Sequence, residues 1–365
     1  MEDLVSTIQD VARHAAVSVS TVSNVLNGRT EKMRQATLAR VEEAIVALKY
    51  RPSTLARQLK TGQTPLLGLL VPSIANPMYG YIAREVETFA QEKYGYRVLI
   101  GNTYRDREKE ASFFEDLLAH GVRHVIVISS LADESHLTRA VQRGMVVVSY
   151  DRRSAPGEQS EVNHVAPNNF EAARIATRHL IAHGHTQLAF VTLSGLTVSR
   201  SDKIDGFYAA ASEAGLRDRA RVIEGGPSNE YGDSVIGEVG HQLALQIVKD
   251  ANRPTGIVAV NDLMALGLMS GLRATGLRVP SDVSVVGMDG LFLSSLSNPR
   301  LTTVQLPVPD MARAMVERAL TRPFASGTHA GDQIFDTLSL FERESVAAPP
   351  ALTASRHSRT RKTSK

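Results

Sequence analysis

The sequence predicts an α/β protein in two parts: a small helical N-terminal unit, then doubly wound parallel sheets covered by helices. Three observations carry this prediction. Up to about Tyr50 the apolar residues recur at helical spacing and no strand run occurs. From Leu66 onward, apolar runs of strand length alternate with amphipathic stretches, the βαβ rhythm of a parallel sheet covered on both faces. The chain has 365 residues and 43% hydrophobic content, so a sizeable core is available. The roughly 280 residues of alternating pattern exceed one comfortable sheet and divide into two subdomains.

The head comes first. Thr7 is placed to cap a helix, with Asp10 where its charge favours the positive helix end. Ile8, Val11 and Ala12 then share one face. Ala15-Ala16-Val17 is a short connection of small residues, and Ser18 is a second cap. Val22, Val25 and Leu26 repeat the helical spacing until Asn27-Gly28 stops it. A third helix, from about Arg34 to Leu48, turns Leu38, Val41, Ala44, Ile45 and Leu48 inward. Within "AAVSVSTVSNVLNG" the alternation of valine and serine imitates a strand. At period 3.6 it leaves a separate polar face of Ser20, Thr21, Ser23 and Asn24. Helix, tight turn and helix with such a face suit base edges and phosphates in a major groove. The same spacing also suits a three-helix bundle whose polar face meets water.

Next comes "RPSTLARQLKTGQTP", which its flanking prolines mark as a linker. Leu55, Ala56 and Leu59 share one face there, on a helix too short to be stable alone. The strand runs are "LLGLLV", "RVLIG", "HVIVIS", "MVVVSY", "QLAFVT", "RVIEG", "GIVAV" and "VSVVGMD", with helices expected over 78–93, 107–120, 168–183, 232–250 and 262–275. Parallel sheets place ligands at strand ends. Met78 and Tyr79 follow the first strand, Asp151 follows "VVVSY", Asn261 follows "GIVAV" and Asp289 follows "VSVVGM". Carboxylates and amides there suit hydroxyl groups, and Tyr79 can stack on an apolar ring face. Asp262 begins a helix, so capping is its competing role.

Composition narrows the function classes. There is no Cys, which removes disulfides, thiolate catalysis and thiolate zinc sites and fits a reducing cytosol. The N-terminus is polar and no run of about 18 apolar residues occurs, so a cytoplasmic protein without a membrane span is expected. Residues 1–64 hold nine Lys/Arg against six Asp/Glu, and the tail after Pro350 holds five Lys/Arg and no acid. A polyanion would therefore meet the ends of the chain rather than its acidic middle. His183-Gly184-His185 is read as a helix end and not as a metal site. No G-x-G-x-x-G follows the first strand, and there is no P-loop, G-x-S-x-G or H-E-x-x-H. An enzyme would have to use Asp151 and Asp289 as an acid/base pair. A transport protein with the same core would need a signal peptide and no head.

"TIQDVARHAAVSVSTVSNVLNG", "ALKYRPSTLARQLKTG", "LLGLLVPSIANPMYGYIAREVETFAQEKYGY", "HLIAHGHTQLAFVT", "VAVNDLMALGLMSGLRATGLRVPSDVSVVGMDG" and "PRLTTVQLPVPDMARAMVERAL" together resemble the lactose-repressor/galactose-repressor (LacI/GalR) family over about residues 6–345. The resemblance implies a DNA-binding head at 1–51, a hinge helix at 52–63 and a periplasmic-binding-protein-like core at 64–345, followed by a basic tail at 346–365. Within the core it implies an N-lobe of about 64–163 and 292–325 and a C-lobe of about 164–291 and 326–345. It implies a homodimeric transcriptional repressor on pseudo-palindromic operator DNA, controlled by a sugar or sugar acid, with no cofactor and no metal. Val19, Ser20 and Asn24 then read bases, and Thr21 and Ser23 hold phosphate. Thr7, Ser18, Asn27 and Tyr50 complete the head's DNA contacts, and Ala56 and Leu59 enter the minor groove. Arginine is common in the family where this chain has Asn24, so its base preference is expected to shift towards adenine. The implied effector site is Met78, Tyr79, Asp151, Arg200, Lys203, Asn261 and Asp289. Lys203 stands where sugar-binding relatives carry arginine. Arg152, Arg200 and Lys203 together would favour an anionic ligand.

Overall fold

A computed structural model describes residues 6–26, 29–31, 33–50, 65–154, 160–195, 197–226, 235–321 and 331–350. The chain divides into two compact units, Met1–Thr64 and Pro65–Lys365. In the first, helices α1 (Ile8–His14), α2 (Val19–Leu26) and α3 (Gln35–Ala47) surround buried Val11, Ala12, Ala15, Val22, Val41 and Ala44. Thr7 and Asp10 form a reciprocal capping box at the start of α1. The turn into α2 is closed by Ala16 at φ +49°, and Ser18 Oγ accepts from the Thr21 amide at 3.2 Å. The valine–serine comb is therefore helical. Val22 is fully buried, while Ser20 and Asn24 face outward.

The second unit contains two six-stranded sheets. The first has the order β11-β5-β4-β3-β1-β2, all parallel. Its strands are β1 (Leu66–Val71), β2 (Arg97–Asn102), β3 (His124–Ile128), β4 (Val146–Tyr150), β5 (Asn163–Pro167) and β11 (Gln333–Phe335). The second has the order β12-β10-β9-β8-β6-β7, parallel except for the β10–β12 pair. It is built from β6 (Leu188–Leu193), β7 (Ala220–Gly225), β8 (Gly256–Ala259), β9 (Ser284–Asp289), β10 (Thr302–Gln305) and β12 (Ser339–Phe341). The inner strands are buried along nearly their whole length, as a sheet with helices on both faces requires. In both sheets the chain steps outward to the second strand and then returns past the first. That reversal leaves a crevice at the strand C-termini.

Strand pairing moves the lobe boundaries from where the sequence reading put them. β5 pairs with β4, so the first crossing follows Pro167 and not residue 163. β10 pairs with β9, which places 302–305 in the second lobe instead of the first. β11 pairs with β5, which returns 333–335 to the first lobe. These strands are short and partly polar, without the unbroken apolar run that marks β3, β4 and β8, so no local pattern announced them. Two of the three crossings are tied together: the Asn168 amide donates to Phe335 O at 2.9 Å and Asn168 Nδ2 to Asp336 Oδ1 at 2.6 Å. Among the described residues no helix is long and apolar enough to cross a membrane.

Candidate functional site

On the head, Ser18, Val19, Ser20 and Asn24 are exposed, and Thr21 and Ser23 are half-buried. Ser18 Oγ lies 2.7 Å from Ser20 Oγ and 2.8 Å from Thr21 Oγ1, so these hydroxyls form a linked row at the start of α2. Two expected contacts have structural employment. The Thr7 hydroxyl is bound to Asp10 Oδ2 at 2.6 Å within the capping box, and the Tyr50 ring packs against the head's core. Asn27, Ala56, Leu59 and the hinge at 52–63 lie outside the described residues.

In the core, a cleft between the lobes is lined by all seven expected effector residues: Met78, Tyr79, Asp151, Arg200, Lys203, Asn261 and Asp289. Helix α4 (Pro77–Phe89), capped by Asn76, brings in Met78 and Tyr79 from the first lobe. Helix α8 (Val198–Glu213), capped by Thr197, brings in Arg200 and Lys203 from the second. Asp151 follows β4 with φ +67°, an uncommon conformation for a residue with a side chain, and its amide donates to Val165 O at 3.0 Å. Its carboxylate accepts from Asn169 Nδ2 at 2.9 Å, across the cleft. Ser130 Oγ likewise lies 2.9 Å from Ser199 Oγ and donates to Asp151 O at 2.7 Å.

Asp289 is buried at the end of β9, and its Oδ2 has no hydrogen-bond partner; the same is true of Asn169 Oδ1. Burial pushes the Asp289 carboxyl well above the usual carboxylate range, and the charge of neighbouring Asp262 adds to this. Asp262 is not the helix cap. Asn261 is, accepting from the Met264 amide at 2.9 Å. Asp262 instead accepts from the Leu291 amide at 2.8 Å and the Thr303 hydroxyl at 2.5 Å, and burial raises it to about 6. Asn261 thus caps its helix and lines the cleft as well.

The expected cationic trio needs correction. Arg152 is absent from the cleft lining because Nη1 donates to Leu131 O and Ala132 O, at 2.9 and 2.8 Å, and Nε lies 3.4 Å from Glu134. Arg105 lines the cleft in its place, bound to Ser129 O at 2.6 Å and Tyr79 Oη at 2.7 Å. The strand-end rule would have found Arg105, which follows β2, and Tyr150, the last residue of β4. Asn169, which opens helix α7 (Asn169–Ala182), follows a strand the sequence did not reveal. At the end of α7, Gly184 takes φ +91°, as a helix stop requires, and His185 bridges Thr255 Oγ1 and Ala347 O.

Two sequence families match the chain: bacterial regulatory proteins of the lacI family over residues 7–53, and the periplasmic binding protein-like domain over 177–346. The chain is 32% identical over 358 residues to the HTH-type transcriptional regulator GalR of Escherichia coli (strain K12), covering 96% of this chain and 98% of that protein. It is 33% identical over 321 residues to the HTH-type transcriptional repressor PurR of Aliivibrio fischeri (strain MJ11), covering 87% and 91%. A lac repressor dimer solved with operator and the anti-inducer ONPF superposes with TM-score 0.80 at 27% identity, covering 94% of this chain and 99% of that one. A complex of the transcriptional regulator CelR with cellobiose gives TM-score 0.66 at 25% identity, covering 93% and 99%.

Proposed function

Because the chain belongs to the lacI family of bacterial regulatory proteins, whose matched relatives are transcriptional regulators, we propose that it is a homodimeric repressor of pseudo-palindromic operators, controlled by a small polar metabolite. The metabolite is a sugar or sugar acid bound in the interlobe cleft. The observation that carries this is the pair of buried oxygens without hydrogen-bond partners on residues lining the cleft, Asp289 Oδ2 and Asn169 Oδ1. Leaving such an atom without a partner costs on the order of 1–3 kcal/mol. A ligand hydroxyl recovers that cost, and the cellobiose of the CelR complex is a ligand of that kind.

The exposed row on α2 supports base reading by Val19, Ser20 and Asn24. Dimerisation is supported by an apolar patch on the core: Phe292 is 75% exposed and Leu296 64%, and a groove beside them is lined by Tyr81 and Phe341. A ligand that favours one arrangement of the lobes biases the hinge at 52–63 in both protomers, shifting operator affinity by typically ~1–3 kcal/mol. The test is fluorescence anisotropy of the purified protein on DNA recovered by random-site selection, with and without each member of a metabolite panel. A palindromic preference and a change of roughly 5–150-fold with at least one metabolite are expected. Binding without sequence preference, or indifferent to every metabolite, refutes the proposal.

A further inference from the structure

We propose that the effector is an anionic polyhydroxyl compound, an aldonic or uronic acid, and that Lys203 is the counter-ion of its carboxylate. This rests on the cleft being the effector site and names which effectors fit it. Lys203 is only 9% exposed, and its Nζ donates to Val260 O at 3.1 Å. That carbonyl takes one of three ammonium N–H groups and supplies no charge. Among the described residues no carboxylate oxygen lies within the 4.0 Å of an ion pair. A buried lysine is almost always paired, because an ammonium taken out of water without a counter-charge is strongly disfavoured. Asp289 is near enough for Lys203 to act on its titration, yet burial and Asp262 hold that carboxyl towards its protonated form. The missing negative charge is therefore the ligand's.

The rest of the cleft fits the remainder of such a molecule. Asn169 Oδ1 is an acceptor without a partner, and Asp289 Oδ2, also without one, belongs to a carboxyl held towards protonation, so the ligand must bring hydroxyl groups that donate to the first and accept from the second besides its charge. A neutral sugar supplies the hydroxyls and leaves Lys203 uncompensated. A simple carboxylic acid compensates Lys203 and leaves Asn169 Oδ1 and Asp289 Oδ2 without partners. Only a polyhydroxy acid meets both demands. The sugar in the CelR complex, cellobiose, is uncharged, so this chain is assigned a different ligand charge from that relative.

Isothermal titration calorimetry on the full-length protein tests this, using gluco, galacto and manno aldonates and uronates, each paired with its neutral parent sugar. At least one acid is expected to bind about tenfold or more tighter than its parent. The ratio should collapse towards one in Lys203→Met and survive in Lys203→Arg, with thermal melts verifying that both variants fold. A neutral sugar that binds as tightly as its acid overturns the inference and leaves the cleft as an effector site. A preference that persists undiminished in Lys203→Met overturns the role of Lys203. If a folded protein binds neither class, the inference falls, and the operator assay above decides the effector-site reading separately.

Discussion

Replacing Gly206 by alanine is expected to destabilise the core and loosen the cleft together. α7 and α8 touch backbone to backbone at this glycine. A Cβ there would lie 2.0 Å from the Phe170 carbonyl oxygen, 2.8 Å from its carbon and 3.0 Å from its Cα. Carbon–oxygen contacts need about 3.3 Å, so the helices must separate by more than about 1 Å, with no side chain to turn aside. Overpacking of this kind costs typically ~1–3 kcal/mol, and the gain from alanine within a helix returns up to ~1 kcal/mol. A net loss of about 1–2 kcal/mol lowers the melting temperature by roughly 1.5–3 °C in the unit Pro65–Lys365. Lys203 lies one turn earlier on α8 and Asn169 precedes Phe170 on α7, so effector affinity should fall as well. Differential scanning calorimetry reads the first effect and calorimetric titration the second. Gly237→Ala is the control: its Cβ would meet only Leu263, at 3.6 Å, an ordinary contact. Gly206→Ala melting within about 1 °C of the parent would refute the close approach of the two helices.

Three further outcomes are expected. Asn24→Arg should move the selected base at one half-site position from adenine towards guanine in a random-site selection, and an unchanged site would count against base reading by Asn24. Thr7→Ala removes both hydrogen bonds of the Thr7 hydroxyl, to the Asp10 amide and to its carboxylate, and leaves only the Thr7 amide bond to Asp10 Oδ2, so amide exchange in the head should speed up by an amount corresponding to about 1 kcal/mol; unchanged exchange argues against the cap. The folded core keeps protons on Asp289 and Asp262 that the unfolded chain releases near its lower, ordinary carboxylate pKa. Their contribution to stability is thus complete at low pH and is lost as pH rises through the raised folded values. The melting-temperature difference between Asp289→Asn and the parent should therefore grow more positive from about pH 4 to about pH 7.5, and an equal difference at both would contradict the buried charge.

The sequence by itself determined what depends on near neighbours. Helical period separated Val22 from Ser20 and Asn24, capping chemistry fixed the starts of α1 and α2, and apolar runs marked eight of the strands. Five of the cleft residues were legible because a strand end is a local feature, and Arg200 and Lys203 came through family resemblance. Only the tertiary structure decided what depends on partners far along the chain. β5, β10 and β11 are too polar to declare a sheet, so the three lobe crossings emerged only from their pairing. The same reason separates the arginines: Glu134 and two carbonyls draw Arg152 away from the cleft, and Tyr79 and Ser129 hold Arg105 in it. The burial of Lys203 without a carboxylate partner belongs to this second class, because a missing counter-charge is a property of the assembled cleft and of no single stretch of chain.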